Sequence, residues 1–532
     1  MEKSFKLERL ESIPLAGIPG FSPLVKDYLL GEPQLADYYA LKPEIGSFAE
    51  AIKRRSAVPV NRAILIEVLI EQYAGWCSDE ALVFKQIELL AQPNTFTVTA
   101  AHQPCLLMGP MFNVFKMAGA INLSRQLKAA YPDYHFVPVF WMGSEDHDWE
   151  ELGHTYVNGQ RISWEAQDTN GPVGRIPMTG FDAVIAQLKV AGMNDEAKLQ
   201  QLAQWANQAP HFGAFTQQLV HDWFGAEGLV VLNPDDARLK RLLVPVMIDE
   251  ITNSRAKAVL AEPLAGLSRQ YNLQVQPREI NFFHVGKNFR KRLVLAEEKF
   301  AVVDTGVSFS REELSDQIQQ HPEAFSPNVV FRPLYQEMVL PNLAFIGGAG
   351  ELSYWLELKA LFDWYNHPFP VLLMRPAFTL LKASVNRKIQ KSGIKPLQWY
   401  QPIEATVNQF VKNQGVADLS SVRAQVEQAY TALNRIAAET DQTLTGSAEA
   451  EKQKALNSLA TFEGKILKAV KRRHEEGVAQ IRQVYQVMFP ENSWQERVEN
   501  LLTFDQTAKK IPEAILDFSD PFRNDMQWLL TD

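Results

Sequence analysis

Four ionisable residues stand together directly after an apolar run that has the composition of a buried strand. Glu145, Asp146, His147 and Asp148 follow the run 136–142. Three carboxylates this close repel one another and lose solvation when buried, so they add no stability to a strand end. Ligands of open α/β sheets bind at the carboxyl ends of the strands. The cluster therefore predicts a site where a carboxylate acts as a general base, anchors Mg²⁺ or hydrogen-bonds an amine or ribose. A solvated acidic loop with a helix cap is the alternative.

A second polar motif lies between a predicted strand, 95–100, and a predicted helix from about 110 to 130. His102 and Gln103 follow the strand, and Lys116 lies roughly two turns into the helix. Backbone N–H groups and the dipole at a helix N-terminus attract anions, to which Lys116 could reach back. The motif therefore predicts an anion site. A turn whose histidine only caps the helix, with Lys116 on the surface, is the alternative.

A third set of residues combines arginines with a glycine-rich loop. Arg332 and Arg375 each follow an apolar segment that is predicted as a strand, and the loop 347–351 lies between them. Glycine lets the backbone approach a ligand closely, and paired arginines suit phosphate or carboxylate groups. Structural salt bridges from these arginines to Glu337 and Glu351 are the alternative.

These motifs are positioned by a strand, helix and strand that span residues 95–142. Such a βαβ unit predicts a parallel sheet, although Pro138 within the second strand argues against a regular ladder there. Residues 1–90 are predicted to be a helical lead-in that packs on the core. An insertion with small β elements is expected over about 150–325, within a catalytic core that spans 91–398.

The C-terminal region, 399–532, has a different pattern. Apolar residues recur at spacings of four and three, which is typical of a coiled-coil seam: Val422, Val426, Ala429, Leu433 and Ile436. A second long helix is predicted from about Ala448 to Met488, with Gly446 in the turn. The pattern predicts an antiparallel helical hairpin that forms a coiled coil and makes a homodimer. Helices packed on the core are the alternative.

Composition limits the functions that the chain can have. Its 532 residues carry a net charge of −9, which argues against general nucleic-acid binding. It has no apolar run of about 18 residues and no signal peptide, so we expect a cytoplasmic protein without a membrane segment. With two cysteines, it forms no disulfide framework and no four-cysteine zinc site. Cys105 is either a nucleophile near a helix N-terminus or a small buried hydrophobic residue.

Taken together, the ordered motifs resemble the cysteine-adding enzymes of bacillithiol biosynthesis, the cysteine ligases. The likeness covers essentially the whole chain. One departure is Ala101, where glycine is expected before the His-Gln pair. The segments that carry the resemblance are His102–Gln103, Gly109–Pro110, Lys116, Val137–Asp148, Arg332–Glu337, Leu340–Pro341, Gly347–Trp355 and Gln495–Arg497.

The resemblance implies an α/β fold with a Rossmann-like core related to class I aminoacyl-tRNA synthetases. It also implies connecting-peptide insertions and a C-terminal antiparallel coiled coil that forms the homodimer. The implied reaction joins L-cysteine to the amine of glucosaminyl-malate, with ATP or ADP as the activating nucleotide. A cysteinyl adenylate is the natural mechanism by this likeness. Mg²⁺ is possible, and zinc is not expected because no Cys/His cluster is visible.

The same resemblance implies roles for the motif residues. His102, Gln103 and Lys116 would stabilise phosphate or developing negative charge. Asp146, His147 and Asp148 would bind or deprotonate the amine. Arg332 or Arg375 would hold the malate carboxylates. The other positions expected to bind substrate or nucleotide are Gly109, Glu145, Gln336, Gly347, Gly348, Gly350 and Glu351.

Two rival functions remain open at the level of sequence. A nucleotidyltransferase or tRNA ligase would need a basic face, against which the acidic net charge argues. A coiled-coil scaffold whose α/β body only senses a nucleotide would not need both a carboxylate–histidine cluster and arginines at the strand ends.

Overall fold

The computed structural model describes residues 6–78, 80–296, 298–414 and 419–531. Contacts divide the chain into two compact units. The first consists of Met1–Leu380 together with Ser493–Asp532, and the second of Leu381–Asn492. These bounds differ from the predicted division at 90 and 398, because the C-terminal segment returns to the first unit.

The strands and helices alternate over most of the chain. The strands are β1 (Glu8–Pro14), β2 (Thr95–His102), β3 (His135–Met142), β4 (His154–Val157), β5 (Gln160–Ser163), β6 (Val230–Leu232), β7 (Phe282–Val285), β8 (Arg290–Ala296), β9 (Lys299–Val302), β10 (Ser308–Phe309), β11 (Phe325–Pro327), β12 (Asn342–Gly347), β13 (Val371–Met374), β14 (Ala377–Lys382) and β15 (Asp525–Thr531). The α-helices of the first unit are α1 (Pro23–Leu30), α2 (Phe48–Ser56), α3 (Arg62–Tyr73), α4 (Leu82–Leu89), α5 (Phe112–Ala130), α6 (Trp149–Leu152), α7 (Asp182–Val190), α8 (Glu196–Gln208), α9 (Phe212–Phe224), α10 (Ala237–Arg241), α11 (Val244–Asn253), α12 (Arg255–Leu267), α13 (Arg311–Gln320), α14 (Arg332–Val339), α15 (Ala349–Leu356) and α16 (Lys359–Trp364).

The core of the first unit is a parallel sheet of order β13-β12-β2-β3-β6. Its strands are almost wholly buried on both faces, so even the threonines that alternate with apolar residues in β2 lie in the core. Helix α5 joins β2 to β3, as predicted. All five strands run in one direction, so the polar residues that follow them meet at one edge of the sheet.

Pro138 is accommodated without breaking the ladder between β2 and β3. It lies opposite Val98 in a register that continues regularly to the strand ends. Pairing of β3 with β6 begins only at Val139. Pro138 therefore pairs with β2 alone, and its missing N–H interrupts neither the ladder with β2 nor the ladder with β6.

The described residues form three further sheets, of which the smallest is the antiparallel pair β4 and β5. The insertion forms an antiparallel sheet of order β10-β9-β8-β7-β11, as its alternating pattern predicts. The N-terminal strand β1 pairs antiparallel with the C-terminal strand β15, which is followed in the sheet by β14. The lead-in is largely helical, as predicted. Strand β1 was not predicted, because its partner lies more than 500 residues away in sequence.

The second unit is helical. Its α-helices are α17 (Ala383–Ser392), α18 (Ile403–Asn413), α19 (Ser420–Thr440), α20 (Thr445–Arg473) and α21 (Glu475–Met488). Helices α19 and α20 form the predicted hairpin. Gly446 lies in the first turn of α20 rather than in the connection, where Asp441 accepts a hydrogen bond from Thr443 N instead. The predicted second helix is divided at His474.

The division at His474 follows the charge pattern. Three cationic residues, Lys471 to Arg473, end α20, and Glu475 and Glu476 begin α21. Cations stabilise a helix C-terminus and carboxylates an N-terminus. The charged residues around His474 therefore mark a helix boundary within the predicted second helix.

Candidate active site at the carboxyl edge of the parallel sheet

Of the three carboxylates that follow β3, Asp146 is the one that faces the motif after β2. Its Oδ2 accepts a hydrogen bond from Gln103 Nε2 at 2.8 Å, so the predicted motifs after β2 and β3 meet. Its Oδ1 accepts from the backbone N–H of His147 and lies 3.7 Å from Arg290 Nη1. The side chain remains 32% exposed. Burial alone would raise its pKa, but the hydrogen bonds from His147 and Gln103 and the charge of Arg290 lower the pKa of Asp146 well below its usual range.

His147 is oriented by an arginine from the insertion. Arg290 Nη1 donates to His147 Nδ1 at 3.1 Å, and with Nδ1 as the acceptor the ring proton lies on Nε2. Arg290 is itself fixed by hydrogen bonds to Ser326 Oγ and Pro327 O and lies over the Phe283 ring. His147 is therefore a hydrogen-bond donor at the sheet edge.

Glu145 is held inside a buried ion network. Lys240 Nζ lies 2.6 Å from Glu145 and 2.9 Å from Asp235, and its side chain is fully buried. Arg175 adds two hydrogen bonds to Asp235. Burial raises the pKa of Glu145, opposed by the Lys240 charge. Through Lys240 of α10, Glu145 thus connects the loop after β3 to Asp235 in the loop after β6.

Asp148 is exposed and begins helix α6. Its Oδ1 accepts a hydrogen bond from Glu151 N, which is the geometry of a helix N-cap. Asp148 is therefore a helix cap in an acidic loop, which was the alternative interpretation of the cluster. Asp146 instead faces Gln103.

His102 ends β2 as a neutral histidine. Its Nδ1 lies 3.1 Å from Gln103 O, an atom that only accepts, so Nδ1 carries the proton. Burial and the nearby Lys116 charge lower the pKa of His102 to about 4. Cys105 Sγ lies 3.5 Å from the same nitrogen. Burial raises the pKa of Cys105, which fits the small buried residue rather than the nucleophile.

Lys116 does reach back to the sheet edge, but it meets protein groups there. Its Nζ lies 2.5 Å from Glu351 Oε2 and donates to Ala101 O. Glu351 also accepts from the N–H of Gly348, at the start of α15. The N–H of the residue that precedes that helix is therefore bonded by a side chain of its first turn.

Arg375 follows β13, as predicted, and the fork of its two Nη atoms is filled by one carboxylate. Its Nη1 donates to Glu496 Oε2 at 2.9 Å, and its Nη2 donates to Glu496 Oε1. Both side chains are buried, 3% and 0% exposed. The fork that was predicted to hold a substrate carboxylate is filled by a carboxylate of the chain.

The segment that supplies Glu496 also holds β14. Glu496 accepts from Phe378 N, and the Gln495 side chain makes two hydrogen bonds with Leu380, accepting from its N–H and donating to its carbonyl. We call the residues Gln495 and Glu496 the clasp. The side-chain amide of Gln495 imitates the pairing of a neighbouring strand.

Arg332 does not follow a strand, contrary to the prediction. It is the first residue of α14, where Pro333 suits the first turn. Its guanidinium donates to Gln336 Oε1 and to Tyr354 Oη. Gln336 in turn donates to Glu337, whose pKa burial raises to about 7. The Arg-Pro pair was the available signal for a helix start.

The predicted glycines have different surroundings. A Cβ on Gly109 would lie 2.1 Å from Thr155 Oγ1 and 2.5 Å from Asn500 Nδ2, so close packing requires glycine there. A Cβ on Gly348 would lie 3.5 Å from Arg375 Nε, and one on Gly350 would meet open space. Gly347 ends β12, and Arg375 N donates to its carbonyl.

The sheet edge therefore has two halves of opposite charge. The acidic half, after β3 and β6, holds four carboxylates and three cations: Glu145, Asp146, Asp148, Asp235, Arg175, Lys240 and Arg290. The basic half, around β12 and β13, holds four cations and two carboxylates: Lys116, Arg332, Arg375, Arg497, Glu351 and Glu496. Within the described residues, no three His, Cys, Asp or Glu side chains form a group that could hold a metal ion.

Comparison with known proteins identifies the family. A model of the family described as "Bacillithiol biosynthesis BshC, N-terminal Rossmann-like domain" matches residues 9–376. A second, described as "Bacillithiol biosynthesis BshC, C-terminal coiled-coil domain", matches residues 378–529. The chain belongs to the BshC family.

Relatives named as cysteine ligases BshC match nearly the whole chain. One from Flavobacterium psychrophilum is 35% identical and covers 93% of this chain and 94% of its own. One from Cytophaga hutchinsonii is 34% identical, with 96% and 97% covered. The resemblance drawn from the motifs is thereby confirmed, as is the fold class of a Rossmann-like domain with a C-terminal coiled coil. A solved structure described as an arginyl-tRNA synthetase from Campylobacter jejuni, 14% identical and covering 84% of this chain and all of its own, has a TM-score of 0.21, too low to support an argument.

Sequence reasoning missed several residues that build the edge in this BshC chain. Arg290 and Lys240 come from the insertion and from the helix after β6, and only the fold brings them to Asp146 and Glu145. Glu496 and Arg497 were noted in a motif but were given no role. Their signal was a conspicuous polar triplet directly after the coiled coil. In the described ranges, no helix is long and apolar enough to cross a membrane.

Proposed function

We propose that the chain joins the carboxyl group of L-cysteine to the amine of glucosaminyl-malate to form bacillithiol, with ATP or ADP activating the cysteine. Membership of the BshC family, whose relatives are named as cysteine ligases, carries this proposal. In the reaction an amide C–N bond forms, the amine loses a proton and the carboxyl group loses an oxygen to the activating group. The substrates contain an amine and several anionic groups, which suits an edge with halves of opposite charge.

The acidic half suits the amine. Asp146 is partly exposed, and its lowered pKa keeps it ionised at neutral pH. A carboxylate with so low a pKa is a weak base, so Asp146 would hold and orient the amine rather than remove its proton. His147 Nε2–H beside it would donate to a hydroxyl or carbonyl oxygen of the substrate.

The basic half suits carboxylate and phosphate groups. Arg332 and Arg497 belong to it, and His102 lies at the end of the neighbouring strand with Nε2 as an acceptor. These residues fit a nucleotide, which when bound would supply the leaving group for the cysteine carboxyl. Mg²⁺ would be held mainly by the phosphates of the nucleotide, which does not require a preformed cluster of protein ligands. No zinc is proposed.

We also propose a homodimer through the second unit. The predicted seam stays largely exposed, since Val422, Leu433 and Ile436 are 38%, 45% and 59% exposed. Phe462 on the second helix of the hairpin is 58% exposed. Exposed apolar residues along a long helical hairpin support burial against a second copy. Measurement of the molar mass in solution, for the wild-type chain and for Ile436→Lys, tests this proposal. A monomeric wild type would contradict it.

The reaction is tested with purified protein, L-cysteine, glucosaminyl-malate and ATP, followed by mass spectrometry of the thiol product. The expected result is bacillithiol together with ADP, or with AMP and pyrophosphate, and each nucleotide product distinguishes a mode of activation. ADP replaces ATP in a parallel reaction. Product formation that needs no nucleotide would remove the activation step, and absence of bacillithiol under all conditions would refute the proposed reaction.

A further inference from the structure

Arg497 is an exposed arginine directly after the clasp. It ends the short 3₁₀ turn Gln495–Arg497, whose backbone is fixed by a hydrogen bond from Arg497 N to Trp494 O. Its neighbour Glu496 is anchored in the buried pair with Arg375. The base of the Arg497 side chain is therefore held rigidly beside the end of β13.

The electrostatic surroundings of Arg497 belong to the basic half. Although the residue as a whole is exposed, partial desolvation of its guanidinium and the Arg375 charge lower the pKa of Arg497, whereas Glu496 and Glu351 act in the opposite direction. Glu496 is used by Arg375, and Glu351 by Lys116. Both carboxylates near Arg497 are thus already engaged by other cations.

The other cations of the basic half are hydrogen-bonded to the protein. Lys116 and Arg375 are buried in ion pairs, and Arg332 donates to Gln336 and Tyr354. For Arg497, in contrast, no side-chain hydrogen bond or ion pair is formed with any described residue. A guanidinium placed next to another guanidinium is stabilised when an anion binds between or beside them.

We propose that Arg497 is the substrate-binding arginine of the basic half and takes an oxyanion group, a carboxylate or a phosphate. The planar guanidinium presents paired N–H donors that match either group bidentately. This inference deepens the proposed function, on which it rests for the identity of the substrates. It transfers to Arg497 the role that sequence analysis gave to Arg375, whose fork is filled by Glu496.

The role is tested by binding, which does not require turnover. Titration calorimetry measures the affinity of the full chain for malate and, separately, for inorganic pyrophosphate at millimolar concentrations. The variants are Arg497→Ala and Arg497→Lys. Arg269→Ala is the matched control, since Arg269 is exposed and makes no side-chain contact with the sheet edge. Thermal unfolding of each variant shows that the chain remains folded.

Loss of one charge-assisted contact predicts about 10- to 100-fold weaker binding for Arg497→Ala. We expect a smaller loss for Arg497→Lys, which keeps the charge but not the fork, and no change for Arg269→Ala. A loss confined to malate assigns Arg497 to the acceptor carboxylates, and a loss confined to pyrophosphate assigns it to the nucleotide. Unchanged affinity for both, or no binding of either by the wild type, would overturn the inference. Because binding is measured without product formation, failure of the ligase reaction is recognised separately.

Discussion

Each half of the sheet edge contains charged residues of two kinds, those that fix the local fold and those that remain available to a ligand. In the acidic half, Lys240 is buried between Glu145 and Asp235, and Asp146 remains partly exposed. In the basic half, Arg375 is buried against Glu496, and Arg497 remains exposed. Each half thus combines a buried ion pair, which fixes the local fold, with a charge that can meet a ligand.

This comparison shows that neighbouring charges in sequence can have unrelated roles. Glu145 and Asp146 are adjacent, yet the first joins two loops and the second faces Gln103 across the edge. The same holds for Glu496 and Arg497. Buried ion pairs add little net stability, but removal of one partner leaves an uncompensated charge. Substitutions can therefore separate the fixed charges from the available ones.

The largest effect is expected for Lys240→Met. It leaves the buried Glu145 without its ion-pair partner and Asp235 with Arg175 alone, which should lower the free energy of unfolding by about 5 kcal/mol. Chemical denaturation at pH 7 measures the loss. Because burial raises the pKa of Glu145, the loss should shrink at pH 5, where that group accepts a proton more readily. A loss that is independent of pH would mean that Glu145 does not titrate.

In the basic half, Glu496→Ala should cost about 3–5 kcal/mol, because Arg375 remains charged and buried. The same denaturation assay applies. The matched control is the double variant Arg375→Met with Glu496→Met. It leaves no buried charge without a partner, so it should regain most of the lost free energy of unfolding. If the double variant is as unstable as Glu496→Ala, packing and the clasp, rather than charge, decide stability there.

The pH dependence of stability distinguishes His102 from Asp146. The folded pKa of His102 is about 4 against an ordinary value of 6.5, so between these values the unfolded chain binds a proton that the folded chain does not. Stability should therefore fall as pH falls through this window, by up to about 3 kcal/mol for this group. His102→Asn should flatten the curve there. A contribution from Asp146, whose pKa is lowered, is lost only below its unfolded pKa near 3.8. An unchanged slope in His102→Asn would show that other groups produce it.

Asp146→Asn should reduce kcat/KM for the amine substrate about 10- to 100-fold, since one charge-assisted contact is lost. It should also lose the stability that the lowered pKa of Asp146 contributes at neutral pH, so thermal unfolding first shows that the variant is folded under the assay conditions. Steady-state kinetics with varied glucosaminyl-malate measures the effect. Glu150→Gln, an exposed change in the next helix, is the control. Equal activity of Asp146→Asn and wild type would remove Asp146 from the site.

Asp148→Ala should have the smallest effect, a loss of about 1 kcal/mol in unfolding free energy from removal of a helix cap. Its kcat/KM should match that of the wild type. A rate loss comparable to that of Asp146→Asn would contradict the division between a capping and a ligand-facing aspartate.

The sequence predicted the parallel sheet and the meeting of polar motifs at its edge because both depend on local pattern. The strand 95–102 is rich in β-branched residues, the strand 135–142 is almost wholly apolar, and polar residues follow each of them. It could not predict which charges are paired. The partners of Glu145 and Arg375 lie 95 and 121 residues away in sequence, so their pairing depends on the tertiary fold. Arg332 was misplaced for a local reason, since an apolar segment before Arg-Pro was taken for a strand.

The clasp has a consequence for the architecture of the chain. Leu380, where the chain leaves the first unit, is hydrogen-bonded to Gln495, two residues after Ser493, where it returns. The helical unit is therefore an insertion whose two junctions are neighbours. Closing that gap with a few glycine residues would cost far less conformational entropy than closing the natural loop. The sheet with its edge should thus be separable from the hairpin as an independently folding protein.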